Sequence, residues 1–380
     1  MFMDLSRAQA ILRKKDIDVI LSNRPENITY VSGVADNLEF RINREERTYA
    51  LVFRSEPPAL VAQWFEVPYL RMRSKIETIV SDKVWKKAPS PEVPEGLLQG
   101  DVETTIAEVV RERHLSNGRI GVDERAIPLL AFQRLQNQLP KATFVPAASI
   151  FEELRTVKTS VEVSLIEKAI QIVEKGYQTL QEHLQEDVTE RELTLKVRDA
   201  ILGAGADEIV FNFVTSGSRA GIDHVTGADI RIKTGEIIKC DIGARYGGYC
   251  SDIGRSFACG NASQDQKRIY QRILETEQEV LAAAKPGMTG SDLFRIYLKG
   301  MREGYGDVPW DMIGHGIGLE LHEAPRISLQ NHTPLQPGMV ICVEIGYLEP
   351  GQQGYHLEDM ILITEDGHRP MTSFPREYLL

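Results

Sequence analysis

The sequence predicts a two-domain protein of mixed α+β class, and three observations support that prediction. The chain has 380 residues, which exceeds the size at which a single hydrophobic core usually stops growing. Helix-like and strand-like segments alternate through about the first 150 residues, which indicates a smaller α/β domain. Two long amphipathic helices then precede a strand-rich region, an order that favours an α+β domain. We place the domains at residues 1–152 and 153–380.

The elements of the first domain are predicted from hydrophobic periodicity. Helical spacing occurs in the segments LSRAQAILRKKD, VETTIAEVVRERH and PLLAFQRLQNQLP. Short apolar or alternating runs predict strands in IDVILSN, RTYALVF, PALVA and ETIV. The segment KKAPSPEVPEGLLQGD is rich in proline and glycine, so we interpret it as a surface loop rather than a domain boundary.

The second domain begins with helices and continues mainly as strands. The segment SVEVSLIEKAIQIVEKGYQTLQEHL predicts a long amphipathic helix. A further helix is predicted in TERELTLKVRDAILGAG, where Thr189 and Glu192 have the spacing of a capping box. Two more helices are predicted at about residues 263–284 and 290–303, and strands dominate the rest of the chain beyond residue 208.

Composition limits the classes of function. A hydrophobic fraction of 42% and a charged fraction of 26% are typical of a soluble globular protein. The net charge of −11 disfavours nucleic acid as a partner, because a phosphate backbone requires a basic surface. No signal peptide or run of about 18 apolar residues is apparent, so we expect a cytoplasmic protein that does not bind membranes. The cysteines match no CxxC pattern, and we expect reduced, buried thiols at Cys240, Cys250, Cys259 and Cys342.

Acidic residues recur beside apolar, strand-like runs in the second domain. They lie in GEIIKCDIGARYGGYCSDIGRSF, MVICVEIGYL and GYHLEDMILIT, at Asp241, Asp252, Glu344 and Glu358. A buried carboxylate is costly without a cation or a hydrogen-bond donor. Any single one of these acids could pair with an arginine or a backbone N–H. Four of them together with the glycine-flanked His315, in DMIGHGIGLELHE, favour a metal site.

These residues resemble the pita-bread metallopeptidases, a family that includes aminopeptidase P, prolidase, methionine aminopeptidase and creatinase. The resemblance covers about residues 155–370, and the first 150 or so, notably IDVILSNRPENITYVSG, resemble the creatinase-type N-terminal domain. The resemblance implies five metal ligands. They are an Asp in a D-x-G stretch, a second Asp eleven residues later, the His of G-H-G-I-G, a Glu after an apolar strand, and the Glu of an E-D pair. In this sequence they fall on Asp241, Asp252, His315, Glu344 and Glu358.

The charges of these ligands agree with a two-metal site. Four carboxylates balance two divalent cations. Oxygen ligands with one imidazole make the site hard, so we expect Mn²⁺ first, with Co²⁺ or Zn²⁺ as alternatives. Such a pair polarises a carbonyl and generates hydroxide near neutral pH, which predicts amide hydrolysis by a metal-bridging hydroxide.

Two further histidines complete the predicted site. His315 and His322 are seven residues apart and would lie on opposite faces of a regular strand. The intervening glycines let the chain bend, so we expect His322 to return toward the substrate. The resemblance implies that His322 contacts substrate and that His224, seventeen residues before Asp241, stabilises the scissile carbonyl or the intermediate. In the expected mechanism Glu344 also moves protons.

Two positions depart from the pattern of the proline-directed members. Those members commonly have a histidine four residues before the ligand histidine, where this sequence has Asp311, and an arginine two residues before the E-D pair, where it has His356. Asp311 changes the charge of the pocket, and the loss of arginine removes a fixed cation. Both are candidate substrate-binding residues. Neither change alters a metal ligand, so metal dependence is expected, unlike in creatinase-like members.

The expected function is therefore that of a two-metal hydrolase resembling Xaa-Pro aminopeptidase or Xaa-Pro dipeptidase, which cleaves between an N-terminal residue and proline. Two alternatives stay open: hydrolysis of a small non-peptide amide, and a non-catalytic binding protein with the same fold. The resemblance to prolidases also implies a homodimer. The length of the peptide and the residue preferred before proline are left open.

Overall fold

The protein is described by a computed structural model that covers residues 2–36, 48–81, 102–305 and 310–377. The chain divides into two compact units, Met1–Arg155 and Thr156–Leu380. The proline-rich segment at residues 86–101, interpreted above as a surface loop, lies outside the described residues. Within the described ranges, no helix has the length and apolar character needed to cross a membrane.

The N-terminal unit is an α/β domain built on a mixed sheet. Its described strands run in the order β4-β3-β2-β1-β5-β6, and they are Val19–Ser22 (β1), Tyr49–Phe53 (β2), Ala59–Ala62 (β3), Thr78–Ser81 (β4), Arg119–Val122 (β5) and Thr143–Pro146 (β6). Its helices are Leu5–Lys14 (α1), Pro25–Ser32 (α2), Val67–Arg73 (α3), Val102–Glu112 (α4), Leu129–Gln138 (α5) and Ala148–Thr156 (α6). Every strand and helix predicted above for this unit is present.

Burial explains why these segments form a sheet with helices packed on it. β1 and β2 are buried along their whole length, as expected for strands covered on both faces. Apolar residues of α4 and α5, among them Ile106 and Leu135, pack in one core cluster with Val19 and Leu51 of the sheet. The short apolar runs of the sequence therefore correspond to buried strands.

The C-terminal unit contains the four helices that the sequence predicts. They are Ser160–His183 (α7), Glu190–Gly203 (α8), Gln264–Ala283 (α9) and Gly290–Tyr305 (α10). The capping box at the start of α8 is present, because the Thr189 side chain accepts from Glu192 N–H and the Glu192 side chain accepts from Thr189 N–H. Periodicity and capping chemistry thus placed these helices to within a few residues.

The strands of the C-terminal unit form one antiparallel sheet. In the described part of the chain the order is β12-β11-β13-β14-β10-β8-β7, with β15 beside β14 and β9 beside β8. The strands are Glu208–Ser216 (β7), Ile237–Tyr246 (β8), Tyr249–Cys250 (β9), Ile253–Ala258 (β10), Met312–Gly316 (β11), Glu323–Ser328 (β12), Val340–Glu349 (β13), Gln353–Ile363 (β14) and His368–Pro370 (β15). With the α/β unit before it, this sheet confirms the predicted α+β class.

One face of this sheet is covered by helices, and we call it the helix face. Ile341, Val343 and Ile345 of β13 lie in one core cluster with Tyr270 of α9 and Tyr297 of α10. Because side chains alternate along a strand, the residues between those three isoleucine and valine positions face the other way. That opposite side is the ligand face, and it carries the predicted metal ligands.

Candidate metal centre

Three predicted ligands lie at one level of the ligand face. Backbone pairing sets Asp241 of β8 opposite Gly254 of β10, Gly254 opposite Glu358 of β14, and Glu358 opposite Glu344 of β13. Residues paired across neighbouring strands point to the same side of a sheet. The three carboxylates therefore converge, and the His356 ring occupies the space that a side chain at Gly254 would need, since a Cβ there would lie 2.0 Å from His356 Cδ2.

Asp252 and His315 join this level from the side. His315 Nε2 lies 3.6 Å from Asp252 Oδ2 and 4.0 Å from Glu344 Oε1. His356, two residues before Glu358, places its Nε2 3.1 Å from Glu358 Oε2 and 4.0 Å from Glu344 Oε2. The structure thus brings all five predicted ligands together, with His356 beside them.

Two sets of donor atoms are close enough to hold metal ions, with all donor atoms of a set within 4.8 Å of one another. One set is Asp252, His315, Cys342 and Glu358, and the other is Asp241, His356 and Glu358. Glu358 belongs to both sets, which is the position of a bridging ligand between two cations. The predicted Glu344 lies next to both sets.

The donor groups fit cations because three of their oxygens have no hydrogen-bond partner among the described residues. Asp241 Oδ1, Asp252 Oδ1 and Glu358 Oε1 are buried and accept no hydrogen bond among the residues described. A buried carboxylate oxygen without a donor or a cation is strongly unfavourable. Three such oxygens within one cluster are what divalent cations would satisfy.

The titration behaviour of the cluster has the same origin. Burial, followed by the charge of neighbouring carboxylates, raises the pKa of Asp241 and of Glu358 well above their usual ranges. Burial raises the pKa of Glu344 to about 7. Burial acts to lower the pKa of His315, but its hydrogen bond and charge interaction with Asp252 give a net increase. The cluster therefore contains more carboxyl groups than can be ionised together without added cations.

The backbone around His315 fixes the orientation of its ring. His315 Nδ1 lies 3.0 Å from the carbonyl oxygen of Gly316, so Nδ1–H donates there and Nε2 keeps its lone pair toward the carboxylates. A Cβ at Gly314 would lie 2.1 Å from the Cys342 carbonyl oxygen, and one at Gly316 would lie 2.1 Å from the Ala324 carbonyl oxygen. Both positions require glycine because neighbouring strands approach so closely.

His322 lies against His315, as the glycine-rich bend requires. The two rings are edge to face with centroids 4.2 Å apart, and His322 is exposed. Partial desolvation, followed by the charge of His315, lowers the pKa of His322. Its imidazole is therefore neutral at pH 7 and has one N–H to donate.

His224 lies in the loop after β7, also near this cluster. Its ring packs edge to face on Phe213, whose backbone pairs with Asp241, at a centroid distance of 5.7 Å. The side chain is 71% exposed. The charge of His224 contributes to the lowered pKa of both His322 and His356. His224 is thus close enough to act with His322 and is open to solvent.

The two positions that depart from the proline-directed pattern lie in different surroundings. Asp311 is exposed in the bend that precedes β11, outside both sets of donor atoms. His356 is 5% exposed and belongs to one of the sets. Desolvation, followed by the charge of Lys239, lowers the pKa of His356 to about 4. Because its imidazole is neutral and contacts Glu358, His356 could bind a metal ion as well as a substrate.

Two residues of the site were missed from the sequence. Cys342 precedes Glu344 by two residues, and Lys239 precedes Asp241 by two residues, so each shares a face with a ligand. Lys239 is buried, donates from Nζ to the carbonyl oxygen of Ile222 at 2.9 Å, and lies near the loop of His224. The sequence signal that could have identified both residues is their spacing of two positions from a predicted ligand.

All four cysteines are buried and free, in agreement with the prediction of reduced, buried thiols.

Both units of the chain match models of known protein families. Residues 164–365 match the family model of metallopeptidase family M24, and residues 5–157 match that of the creatinase/prolidase N-terminal domain. The chain is 37% identical over 255 residues to an Xaa-Pro dipeptidase of Pyrococcus furiosus, a match that covers 66% of this chain and 73% of that protein.

Solved structures extend the similarity to nearly the whole chain. A prolidase from Pyrococcus furiosus has a TM-score of 0.79 at 30% identity, covering 97% of this chain and 100% of that one. An X-Pro aminopeptidase from Thermotoga maritima has a TM-score of 0.81 at 25% identity, covering 98% of each chain.

Proposed function

The chain belongs to metallopeptidase family M24, and on that premise we propose that it is a two-metal Xaa-Pro peptidase, which cleaves between an N-terminal residue and proline. The observation that carries this proposal is the convergence of four carboxylates and one imidazole, with three buried carboxylate oxygens left unpartnered. The printed names of its relatives, Xaa-Pro dipeptidase and X-Pro aminopeptidase, supply the class of substrate.

The residues proposed to hold the two cations are Asp241, Asp252, His315, Glu344 and Glu358. When bound, two divalent cations would polarise the scissile carbonyl and provide a hydroxide nucleophile at neutral pH. Mn²⁺ is the first choice for a set of mostly oxygen donors, and Co²⁺ and Zn²⁺ are the alternatives. The proposal includes a homodimer, as the resemblance to prolidases implies, together with the cytoplasmic location expected from the sequence.

Three side chains are proposed to act on the substrate itself. Glu344 accepts a proton as the carbonyl is attacked and returns it to the leaving nitrogen. His224 and His322 donate hydrogen bonds to the scissile carbonyl and to the negative charge that develops on its oxygen. Their exposure suits this role, because a group that contacts substrate must be open to solvent before binding.

Asp311 and His356 are proposed to influence substrate choice. An exposed carboxylate at Asp311 would favour a substrate with a free α-amine, although screening by solvent keeps the effect small. His356 is buried beside Glu358, so its influence would act through the position of that ligand.

The test is metal removal followed by a panel of substrates. The purified full chain, stripped with a chelator, should lose hydrolysis of Xaa-Pro dipeptides and of longer Xaa-Pro peptides and regain it with Mn²⁺ or Co²⁺. Full activity of the stripped protein would contradict the two-metal mechanism. Restored metal binding without cleavage of any Xaa-Pro peptide would contradict the substrate class and favour a non-peptide amide or a binding role.

A further inference from the structure

Cys342 lies among the candidate metal ligands, although the sequence predicted only a buried thiol at this position. It lies on β13 two residues before Glu344, so both side chains are on the ligand face. Its sulfur belongs to the set of donor atoms, within 4.8 Å of one another, that includes atoms of Asp252, His315 and Glu358. The residue is fully buried.

The carboxylates around this sulfur need a cation for reasons unrelated to the cysteine. Asp252 and Glu358 are 4% and 1% exposed, and each has one buried oxygen that accepts no hydrogen bond from the part of the chain that the structure describes. A cation that satisfied both oxygens and His315 would lie beside the Cys342 sulfur. The backbone there is also fixed, because the Cys342 carbonyl fills the space that a side chain at position 314 would need.

The other buried cysteines of the C-terminal unit are placed differently. Cys240 is adjacent to Asp241 on β8, so alternation directs it to the helix face. The Cys250 sulfur lies 3.8 Å from the carbonyl oxygen of Leu319. Cys240 is therefore a matched comparison for Cys342: both are buried in strands of the same sheet and both lie near a predicted ligand in sequence, but they face opposite sides.

We propose that Cys342 is a sulfur ligand of the metal centre and shifts its preference from Mn²⁺ toward thiophilic divalent cations such as Zn²⁺ and Co²⁺. A set of one sulfur, one imidazole nitrogen and two carboxylate oxygens matches the donors that Zn²⁺ accepts in a four-coordinate site. Thiolate ligands favour softer cations than carboxylates do. On binding, the thiol releases its proton to solvent and the sulfur bonds to the cation. This inference rests on the proposed two-metal function.

The experiment uses the full chain, stripped and then loaded with Co²⁺ or Zn²⁺. The Co²⁺ protein should have a sulfur-to-cobalt charge-transfer band in the near ultraviolet, and X-ray absorption of the Zn²⁺ protein should detect sulfur at about 2.3 Å. Cys342→Ser should remove both signals while metal remains bound, and Cys240→Ser should leave both unchanged. The ratio of Zn²⁺ to Mn²⁺ affinity should fall about tenfold or more in Cys342→Ser, the scale of changes made next to metal ligands.

Each outcome separates this inference from the function it rests on. Bound metal with only oxygen and nitrogen neighbours in the unaltered protein would overturn the sulfur ligand and leave the peptidase proposal intact. A band that persists in Cys342→Ser would also overturn it. Failure of the protein to bind any divalent cation would overturn the two-metal function itself. If Cys342→Ser does not fold, the absorption spectrum of the unaltered protein decides the question alone.

Discussion

Glu358 and Asp359 are neighbours on β14 and both are buried, but their carboxyl groups have different partners on the two faces of the sheet. On the helix face, Asp359 accepts a hydrogen bond from Arg255 Nη2 at 2.7 Å and also pairs with Arg376. On the ligand face, Glu358 lies among other carboxylates, and one of its oxygens accepts no hydrogen bond from any described residue. A buried carboxylate is costly without a cation or hydrogen-bond donors beside it. The chain supplies that cation for Asp359, and a metal ion would supply it for Glu358.

The helix face also holds the ligand face in place. The Arg255 guanidinium is fully buried and donates to the carbonyl oxygens of Gly254 and Glu358, each at 2.7 Å. It donates further to the carbonyl oxygens of Phe374 and Pro375 near the end of the chain. One cation therefore neutralises Asp359, fixes the backbone of a predicted ligand and attaches the C-terminal segment to the sheet.

The largest expected effect comes from removing the charge of Glu358. Glu358→Gln should lower kcat/KM for an Xaa-Pro peptide about 10³-fold, because losing a metal ligand forfeits several kcal/mol of transition-state stabilisation. The free energy of unfolding of the metal-free variant should stay the same or rise, since it no longer contains a buried carboxyl group that must take up a proton on folding. Metal content, peptide hydrolysis and urea unfolding are the measurements. Full metal content with unchanged activity would remove Glu358 from the ligand set.

Substitution of the neighbouring Asp359 should lower stability and leave metal binding and activity nearly unchanged. Asp359→Asn should lower the free energy of unfolding by about 3 kcal/mol, because it leaves the buried Arg255 without its counter-charge. Metal content and kcat should change by no more than a few-fold, as Asp359 lies on the other face. Comparing the two variants in the same assays tests the division between the faces. Loss of metal from Asp359→Asn without loss of stability would contradict it.

A smaller effect is expected from His224, which is proposed to contact the substrate without binding metal. His224→Ala should lower kcat about 10²-fold, the scale of a lost transition-state hydrogen bond, while metal content stays intact. His332→Ala is the matched control, since His332 is also an exposed histidine of the C-terminal unit. An unchanged kcat in His224→Ala would assign that residue a structural role.

The ligand face was more predictable from the sequence than the helix face. Its acids stand beside apolar runs and its histidine stands between glycines, and both patterns are local. The partners of Asp359 are not local, since Arg255 is 104 residues away and joins it only through pairing of β10 with β14. Cys342 was overlooked because its pattern alone predicts a buried thiol, and its metal-ligating neighbours come from β11, β14 and the residue before β10, all distant in sequence.

The smallest expected effect is a pH dependence of stability on the helix face. Glu277 of α9 is fully buried beside Asp359 and lies 3.4 Å from Arg376 Nε. Burial, followed by the charge of Asp359, raises the pKa of Glu277 well above its usual value of 4.5. We therefore expect Glu277 to keep its proton to a higher pH than an exposed glutamate does.

The sign of the effect follows from proton binding. Above pH 4.5 an unfolded chain releases the proton of Glu277 while the folded protein keeps it, so the stability of the protein falls as pH rises toward the folded-state pKa. Glu277→Gln removes this loss, and its stability relative to the unaltered protein should improve between pH 5 and pH 8 by about 1.4 kcal/mol for each pH unit of that range below the folded-state pKa. Urea unfolding of the metal-free proteins at both pH values measures it, with the exposed Glu279→Gln on the same helix as a control that should show no such change. Parallel pH profiles for Glu277→Gln and the unaltered protein would mean that Glu277 is ionised and that the helix face neutralises two carboxylates with two arginines.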